Sequence, residues 1–228
     1  MRRMQRVFYA DLSVLEDEAL FEEKLKEVSE ERRAKVLRCK HRADQIRSLG
    51  AGLLVNMACQ EIGITVEDID FLPEAMERDM TEKYYCNITH AGRMAAVVIS
   101  SVATGIDIEP LARFSGEAGR KRMLPIVQRI GTDDEIMTIT IAYNMMLSQP
   151  ELCNQLYAGF DFAAYNAAQF WTSKEAKAKS TGLGLGMDLK KIDTRHEPCY
   201  TAMVEGDEKY VITICPEYGV EIEECMMN

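Results

Sequence analysis

The sequence predicts a mixed α/β protein of the α+β class, because both halves of the chain combine helix and strand patterns. Near the start, VFYADLS is typical of a strand, and EDEALFEEKLKEVS is typical of a charged amphipathic helix. Near the end, YTAMVEGDEKYVITIC has two alternating segments joined by a Gly-Asp turn, which predicts a β hairpin. A chain of 228 residues, 47% of them apolar, can bury a sizeable core around these elements.

The elements between these ends follow from local signals. Ser29 followed by two glutamates predicts a helix start, since a serine side chain caps the helix and acids favour its positive end. A longer helix is predicted from about His41 to Gly63, with apolar residues at core-facing spacing. RMAAVVIS and TGIDIE predict two strands around a short turn. After Pro110 the pattern is largely helical as far as Lys179, with interruptions at IGTDDE and SQPE.

Composition excludes several classes of function. A net charge of -10 argues against general nucleic-acid binding, which needs a basic surface. The start, MRRMQRVFYADLSV, lacks the long apolar run of a signal peptide, and the helix AGLLVNMAC is too short to span a bilayer, so neither secretion nor membrane insertion is expected. Seven scattered cysteines form no metal-finger spacing and predict reduced thiols packed in the core of a cytoplasmic protein.

One basic segment stands out in this acidic chain. Between Arg32 and Arg47 there are seven lysines and arginines and a single acid, which gives a local charge of +6. Such a segment is often only the solvated face of a helix. In this chain it is also the clearest place for an anion to bind.

Two pairs of side chains have the spacing of a reactive site. Asp107 and Glu109 in GIDIEP lie two apart on a predicted strand, so both carboxylates face the same side, where a hard cation such as Mg²⁺ would relieve their repulsion. Glu175 and Lys179 in FWTSKEAKAK lie one helical turn apart. The alternatives are an exposed strand edge for the first pair and a surface ion pair for the second.

A histidine in NITHAGR is a further candidate. His90 is predicted to lie in a turn between two strands, where its side chain can point into a cleft. A lone histidine is more often a structural hydrogen-bonding residue. The order of the segments around it favours a functional role.

The series formed by the basic segment, NITHAGR, GIDIE and WTSKEAKAKSTGLGL resembles the phosphopantetheinyl transferases of the surfactin-synthetase-activating type over most of the chain. The resemblance implies a cytoplasmic enzyme that moves the phosphopantetheine arm of coenzyme A to a serine of an apo acyl or peptidyl carrier protein, as in fatty-acid or nonribosomal-peptide synthesis. It also implies two similar, pseudo-twofold-related α/β halves, here residues 1–103 and 104–228, with the active site between them, in a monomer.

The resemblance also assigns roles to individual residues. Asp107, Glu109 and Glu175 match the three Mg²⁺ ligands of the family. Glu175 matches the general base, and Lys179 matches the cation that holds the phosphoryl oxygens. The residues that match contacts to coenzyme A are Arg32, Lys35, Arg47, Ser48, Thr89 and His90.

The chain departs from the family pattern in two places. The lysine that usually precedes the histidine segment is missing, and Arg78 and Lys83 are the nearby candidates to replace it. The segment from Pro110 to Phe170, which normally contributes to carrier docking, is longer than usual and keeps only a trace of its motif in ARFSGEA. Two alternatives therefore accompany the transferase: a non-catalytic protein that binds coenzyme A or a carrier, and a Mg²⁺-dependent phosphohydrolase.

Overall fold

The fold is known from a computed structural model, which describes residues 4–72, 83–158, 160–182 and 187–227. These ranges contain two β-sheets flanked by helices, and the predicted α+β class is confirmed. The strands are Gln5–Asp11 (β1), Ile69–Phe71 (β2), Tyr84–Ala91 (β3), Met94–Ser100 (β4), Gly105–Pro110 (β5), Tyr200–Glu205 (β6), Lys209–Cys215 (β7) and Glu221–Glu224 (β8). The helices are Glu18–Lys24 (α1), Glu30–Arg38 (α2), Arg42–Ile62 (α3), Gly116–Ile130 (α4), Asp133–Ser148 (α5), Pro150–Tyr157 (α6) and Phe162–Ser180 (α7).

The first sheet has the strand order β2-β3-β4-β1-β8, and the second has the order β5-β7-β6. In the first sheet, β4 pairs in antiparallel fashion with both β1 and β3. Strand β8 comes from the far end of the sequence and pairs in parallel with β1. The chain therefore returns to its first sheet after completing the second.

The two sheets pack face to face, with helices on their outer sides. The side chains of β7 show this arrangement, because successive side chains of a strand point to opposite faces of the sheet. Val211 packs with the helices α4, α5 and α7, whereas Tyr210 and Ile212 pack between the sheets with Val98 of β4 and Ile106 of β5. A third core lies between the first sheet and helices α1 to α3.

The helix boundaries follow the local signals in the sequence. The Ser29 hydroxyl accepts a hydrogen bond from the backbone N–H of Arg32 at 3.2 Å, so it caps α2 as predicted. Helix α3 ends at Gly63, whose φ of +78° is a left-handed conformation that glycine adopts without a steric penalty. In the IGTDDE interruption, Thr132 and Glu135 form a capping box that starts α5.

Two sequence-based expectations are wrong. The seven cysteines were expected to be unpaired, but Cys199 and Cys215 form a disulfide, with their Cα atoms 4.4 Å apart where β6 and β7 approach. His90 was expected in a turn, but it lies within β3 opposite Ala95 of β4. The turn begins two residues later at Gly92, where φ is +55°.

The sequence was expected to contain no helix that spans a membrane. In the described ranges, no helix combines the length and the apolar character needed to cross a bilayer.

Candidate active site

The candidate site lies where strand β5 of the second sheet meets helix α7. Gly105 makes this contact possible, because a Cβ atom at this position would lie 1.9 Å from the carbonyl oxygen of Ala176. Helix α7 also contacts the neighbouring strand of this sheet, where the hydroxyls of Thr172 on α7 and Thr213 on β7 are 2.7 Å apart and form a hydrogen bond. The close approach brings Asp107 and Glu109 of β5 near Glu175 and Lys179 of α7.

Asp107 is the most deeply buried acid of the site, with only 6% of its surface exposed. Its Oδ1 atom accepts hydrogen bonds from Lys179 Nζ at 2.7 Å and from Thr89 Oγ1 at 3.1 Å. Its Oδ2 atom is buried and has no hydrogen-bond partner among the described residues. Burial raises the pKa of Asp107, and the charge of Lys179 opposes that rise.

Glu109 lies two residues further along β5 and is held by two donors. Its Oε1 atom accepts hydrogen bonds from the Arg113 guanidinium and from Trp171 Nε1, the latter at 3.2 Å. Burial raises the pKa of Glu109, while the Arg113 contact lowers it. The tryptophan of the FWTSKEAKAK segment therefore orients an acid on β5.

Glu175 is half-buried on α7, and its carboxylate forms no hydrogen bond or ion pair with any residue in the described ranges. Burial raises the pKa of its carboxyl group, and the nearby negative charges of Asp107 and Glu109 raise it further. The three acids therefore act on one another electrostatically. In the described ranges, however, no three acidic, histidine or cysteine side chains are already gathered as a metal-binding group.

Lys179 connects three parts of the structure. Besides Asp107, its ammonium group donates to the carbonyl oxygen of Ile106 at 3.0 Å and to Thr89 Oγ1 at 3.3 Å. It thus ties α7 to β5 and to β3 of the other sheet. Another lysine of the same segment has a different environment: Lys174 is fully buried and forms an ion pair with Glu135 at 2.9 Å.

The segment around His90 lies at the boundary between the two sheets. The Asn87 side chain accepts a hydrogen bond from the backbone N–H of Ile106 at 3.1 Å, which joins β3 to β5. The ring of His90 is exposed, and partial desolvation together with the charges of Arg47 and Lys179 lowers its pKa. Arg47 reaches the same turn, where its Nη1 atom donates to the carbonyl oxygen of Gly92 at 3.4 Å.

The remaining candidates lie on α2 and α3. Gly52 provides room for Arg32, since a Cβ atom on that glycine would lie 2.9 Å from Arg32 Cγ. Ser48, one turn earlier on α3, is buried and its hydroxyl has no partner among the described residues. Lys35 is exposed on α2. In the described ranges, neither Arg32 nor Lys35 has an acidic partner, so both charges are available to an anion.

Comparison with known proteins agrees with the resemblance that the motifs indicate. No protein-family model matches the chain. A 4'-phosphopantetheinyl transferase of Bacillus subtilis is 23% identical over 86% of this chain and 87% of its own length. The 4'-phosphopantetheinyl transferase Sfp of Bacillus subtilis strain 168 is 24% identical over 86% of both chains, and the transferase psf-1 of Bacillus pumilus is 25% identical over 82% of this chain and 78% of its own.

The chain resembles the 4'-phosphopantetheinyl transferases. The resemblance expected from the sequence motifs is thereby confirmed, and so is the expectation of an enzyme of this type. The match extends over most of both chains.

The structure adds residues to the candidate site that sequence reasoning missed. Arg113 contacts Glu109, and Asn87 joins the two sheets beside Asp107. The contact between Arg113 and Glu109 had a signal in the sequence, because the two residues are four positions apart. Of the two candidates for the missing lysine, Lys83 lies 3.7 Å from Asp70, and Arg78 lies outside the described residues.

Proposed function

We propose that this protein is a Mg²⁺-dependent 4'-phosphopantetheinyl transferase that modifies a serine of an apo acyl or peptidyl carrier protein. The serine oxygen forms a bond to the phosphorus of the phosphopantetheine arm, the bond from that phosphorus to the rest of coenzyme A breaks, and adenosine 3',5'-bisphosphate leaves. The observation that carries the proposal is the group of Asp107, Glu109, Glu175 and Lys179 between β5 and α7. The expected cytoplasmic location and monomeric state belong to the same proposal.

The donor set fits a hard divalent cation. Asp107, Glu109 and Glu175 offer only carboxylate oxygens, the ligand type that Mg²⁺ prefers. The buried Oδ2 atom of Asp107 has no partner among the described residues, and an unsatisfied buried oxygen is a strong site for a cation. When bound, Mg²⁺ would supply Lewis-acid stabilisation of the phosphate charge.

Glu175 is suited to accept the proton of the carrier serine. Its carboxylate is half-buried and has no hydrogen bond in the described ranges, so its lone pairs are available to a substrate hydroxyl. Burial raises the pKa of this group and makes it a stronger base than an ordinary glutamate. A base of this kind must act in its deprotonated form, so transfer should decline as the pH falls and the carboxylate becomes protonated.

Lys179 supplies a fixed positive charge beside the acids. Its three hydrogen bonds hold the ammonium group at the boundary between the two sheets. A cation held in this way needs little rearrangement to stabilise charge that develops on the phosphoryl oxygens.

Coenzyme A itself is an anion, so the basic residues near the site are candidates to bind it. Arg47, His90 and Lys179 are close enough for their charges to interact, and Arg32 and Lys35 carry charges without acidic partners in the described ranges. An arginine fork suits phosphate oxygens. We therefore assign Arg32, Lys35, Arg47, Ser48, Thr89 and His90 to the binding of coenzyme A.

The experiment that tests the proposal is intact-protein mass spectrometry of apo carrier proteins incubated with this protein, coenzyme A and Mg²⁺. We expect the carrier mass to rise by one phosphopantetheine group, and we expect the gain to disappear with EDTA. A carrier panel that stays unmodified while coenzyme A still binds in calorimetry would favour the non-catalytic alternative. Release of nucleotide without any carrier would instead indicate a phosphohydrolase.

A further inference from the structure

Arg113 occupies an unusual position at the edge of the candidate site. It lies in the 3₁₀ turn Leu111–Phe114, which follows β5 directly. Its guanidinium forms an ion pair with Glu109, and the side chains of Arg113 and Glu109 are 31% and 13% exposed. The turn thus supplies a positive charge to an acid that we assign to metal binding.

Three contacts hold Arg113 in this place. Its guanidinium carbon lies 5.3 Å from the ring centroid of Trp171 and 5.6 Å from that of Phe114. Its carbonyl oxygen accepts a hydrogen bond from Arg122 Nη1 at 2.7 Å, which connects the turn to α4. Trp171 donates to the same Glu109 oxygen that Arg113 contacts. Arg113, Glu109 and Trp171 therefore form one connected group.

The charge of Arg113 acts on all three acids of the site. Burial raises the pKa of Asp107, of Glu109 and of Glu175, and the positive charge of Arg113 opposes the rise in each case. A divalent cation between the same acids would have the same electrostatic effect. Arg113 and the proposed metal therefore compete for the negative charge of the same carboxylates.

We propose that Arg113 is a placeholder cation: it neutralises Glu109 while the metal site is empty, gives up its contact with that carboxylate when the metal binds, and thereby sets the metal affinity. This inference rests on the metal site of the proposed function. Arg113 acts through Glu109, so it is a positioning residue. The ion pair between Arg113 and Glu109 lowers the affinity for the metal. It also stabilises the metal-free enzyme, since a buried carboxylate without a partner reduces the free energy of unfolding.

The chain offers a direct probe of the exchange, because Trp171 is its single tryptophan. We would titrate the full-length protein with Mg²⁺, follow the fluorescence of Trp171, and measure metal binding in parallel by calorimetry. The variants are Arg113→Gln, which removes the charge, and Arg113→Lys, which keeps it. Lys121→Gln is the matched control, because it removes one charge from the exposed side of α4, where Lys121 forms an ion pair with Glu117.

We expect Arg113→Gln to bind Mg²⁺ about fivefold more tightly than the wild type, since a positive charge close to the metal is removed. Arg113→Lys should stay within about twofold of the wild-type affinity, and so should Lys121→Gln, whose exposed charge is screened by solvent. In the wild-type protein, metal binding should change the emission of Trp171, because Arg113 then leaves the ring and Glu109.

Two results would overturn the inference while leaving the metal site intact. One is a folded Arg113→Gln protein whose Mg²⁺ affinity is unchanged or weaker. The other, which needs no variant, is calorimetric metal binding by the wild type without any change in Trp171 emission. If the wild type binds no Mg²⁺ even with coenzyme A present, then the metal assignment of the proposed function fails together with this inference.

Discussion

At the scale of single residues, the site depends on carboxylates that are only partly satisfied. Asp107 keeps one buried oxygen without a partner in the described ranges, and Glu175 has no hydrogen bond there. Such groups reduce the stability of a protein, and they are characteristic of functional sites. The predictions at this scale concern these two residues.

Replacement of Asp107 by alanine should lower the transfer rate by at least about a hundredfold, the order lost when one electrostatic contact in an active site is removed. The fold should persist, because Lys179 retains its bonds to Ile106 and Thr89. Carrier modification by mass spectrometry measures the rate, and circular dichroism measures the fold. Glu205→Ala, which removes an exposed acid from β6, is the control; equal rates for both variants would contradict the role of Asp107.

Replacement of Glu175 by glutamine should lower the turnover number by about a hundredfold, because the amide cannot accept the serine proton. In the wild type, the rate should fall at low pH as the Glu175 carboxylate becomes protonated. The dependence of kcat on pH measures both effects. Glu151→Gln, at an exposed position on α6, should keep the wild-type profile; an acid-side decline that persists unchanged in Glu175→Gln would assign it to another group.

The same Glu175→Gln change should raise the Tm of the metal-free protein by about 2 °C at neutral pH. A carboxyl group whose folded pKa lies above its unfolded value destabilises the fold when it is ionised, and this penalty disappears as the pH falls through the folded pKa. Thermal unfolding at pH 7.5 and at pH 5 tests the sign, because the gain over the wild type should shrink at the lower pH. A Tm below the wild-type value at pH 7.5 would mean that Glu175 has a stabilising partner.

At the scale of elements, the contact between β5 and α7 determines the geometry of the site. Gly105→Ala should destabilise the protein by about 2 kcal/mol and reduce transfer, because its Cβ atom would overlap the backbone of α7 and push the two elements apart. Urea unfolding and the transfer assay measure the two effects. Gly206→Ala is the matched control: its Cβ atom would approach side chains and no backbone, with Met94 Sδ at 2.7 Å and Tyr210 Cε2 at 3.5 Å, so a smaller loss is expected. Equal losses would show that the β5–α7 contact has no special role.

Helix α2 carries the charges that we assign to coenzyme A. Arg32→Ala should raise the KM for coenzyme A about tenfold and change kcat much less, since we assign the residue to phosphate groups remote from the reacting phosphorus. Steady-state kinetics with a fixed carrier concentration measure both constants. Arg38→Ala removes an exposed charge from the same helix and should leave KM nearly unchanged. A fall in kcat without a rise in KM would move the phosphate contact elsewhere.

Local signals predicted most of these elements, whereas contacts between distant residues could not be predicted. Ser29 and Gly63 gave the ends of helices because capping and left-handed backbone conformations depend on a few neighbouring residues. The bond from Ile106 to Asn87 joins two sheets, and no periodicity in the sequence indicates it. The pairing of Cys199 with Cys215 was missed for the same reason, since spacing alone does not determine the connectivity of cysteines.

At the scale of the whole molecule, the two sheets share one apolar interface and several hydrogen bonds. Val98, Ile106 and Ile212 pack between them, and β8 connects the end of the chain to the first sheet. We therefore expect a single cooperative unfolding transition. Trp171 fluorescence, which reports on the second sheet and its helices, should give the same urea midpoint as far-UV circular dichroism. Two separate midpoints would mean that the halves unfold independently.

The parallel pairing of β8 with β1 has a consequence for the speed of folding. Arg6 lies opposite Glu221, so this pair of strands closes a loop that contains nearly the whole chain. Contacts between residues so far apart in sequence form late, because the entropy of the long loop is lost before the pairing contributes any stability. Until β8 arrives, the backbone groups along one edge of β1 are exposed to other chains. The first sheet is therefore most vulnerable to aggregation during the last stage of folding, and refolding yields should depend on protein concentration.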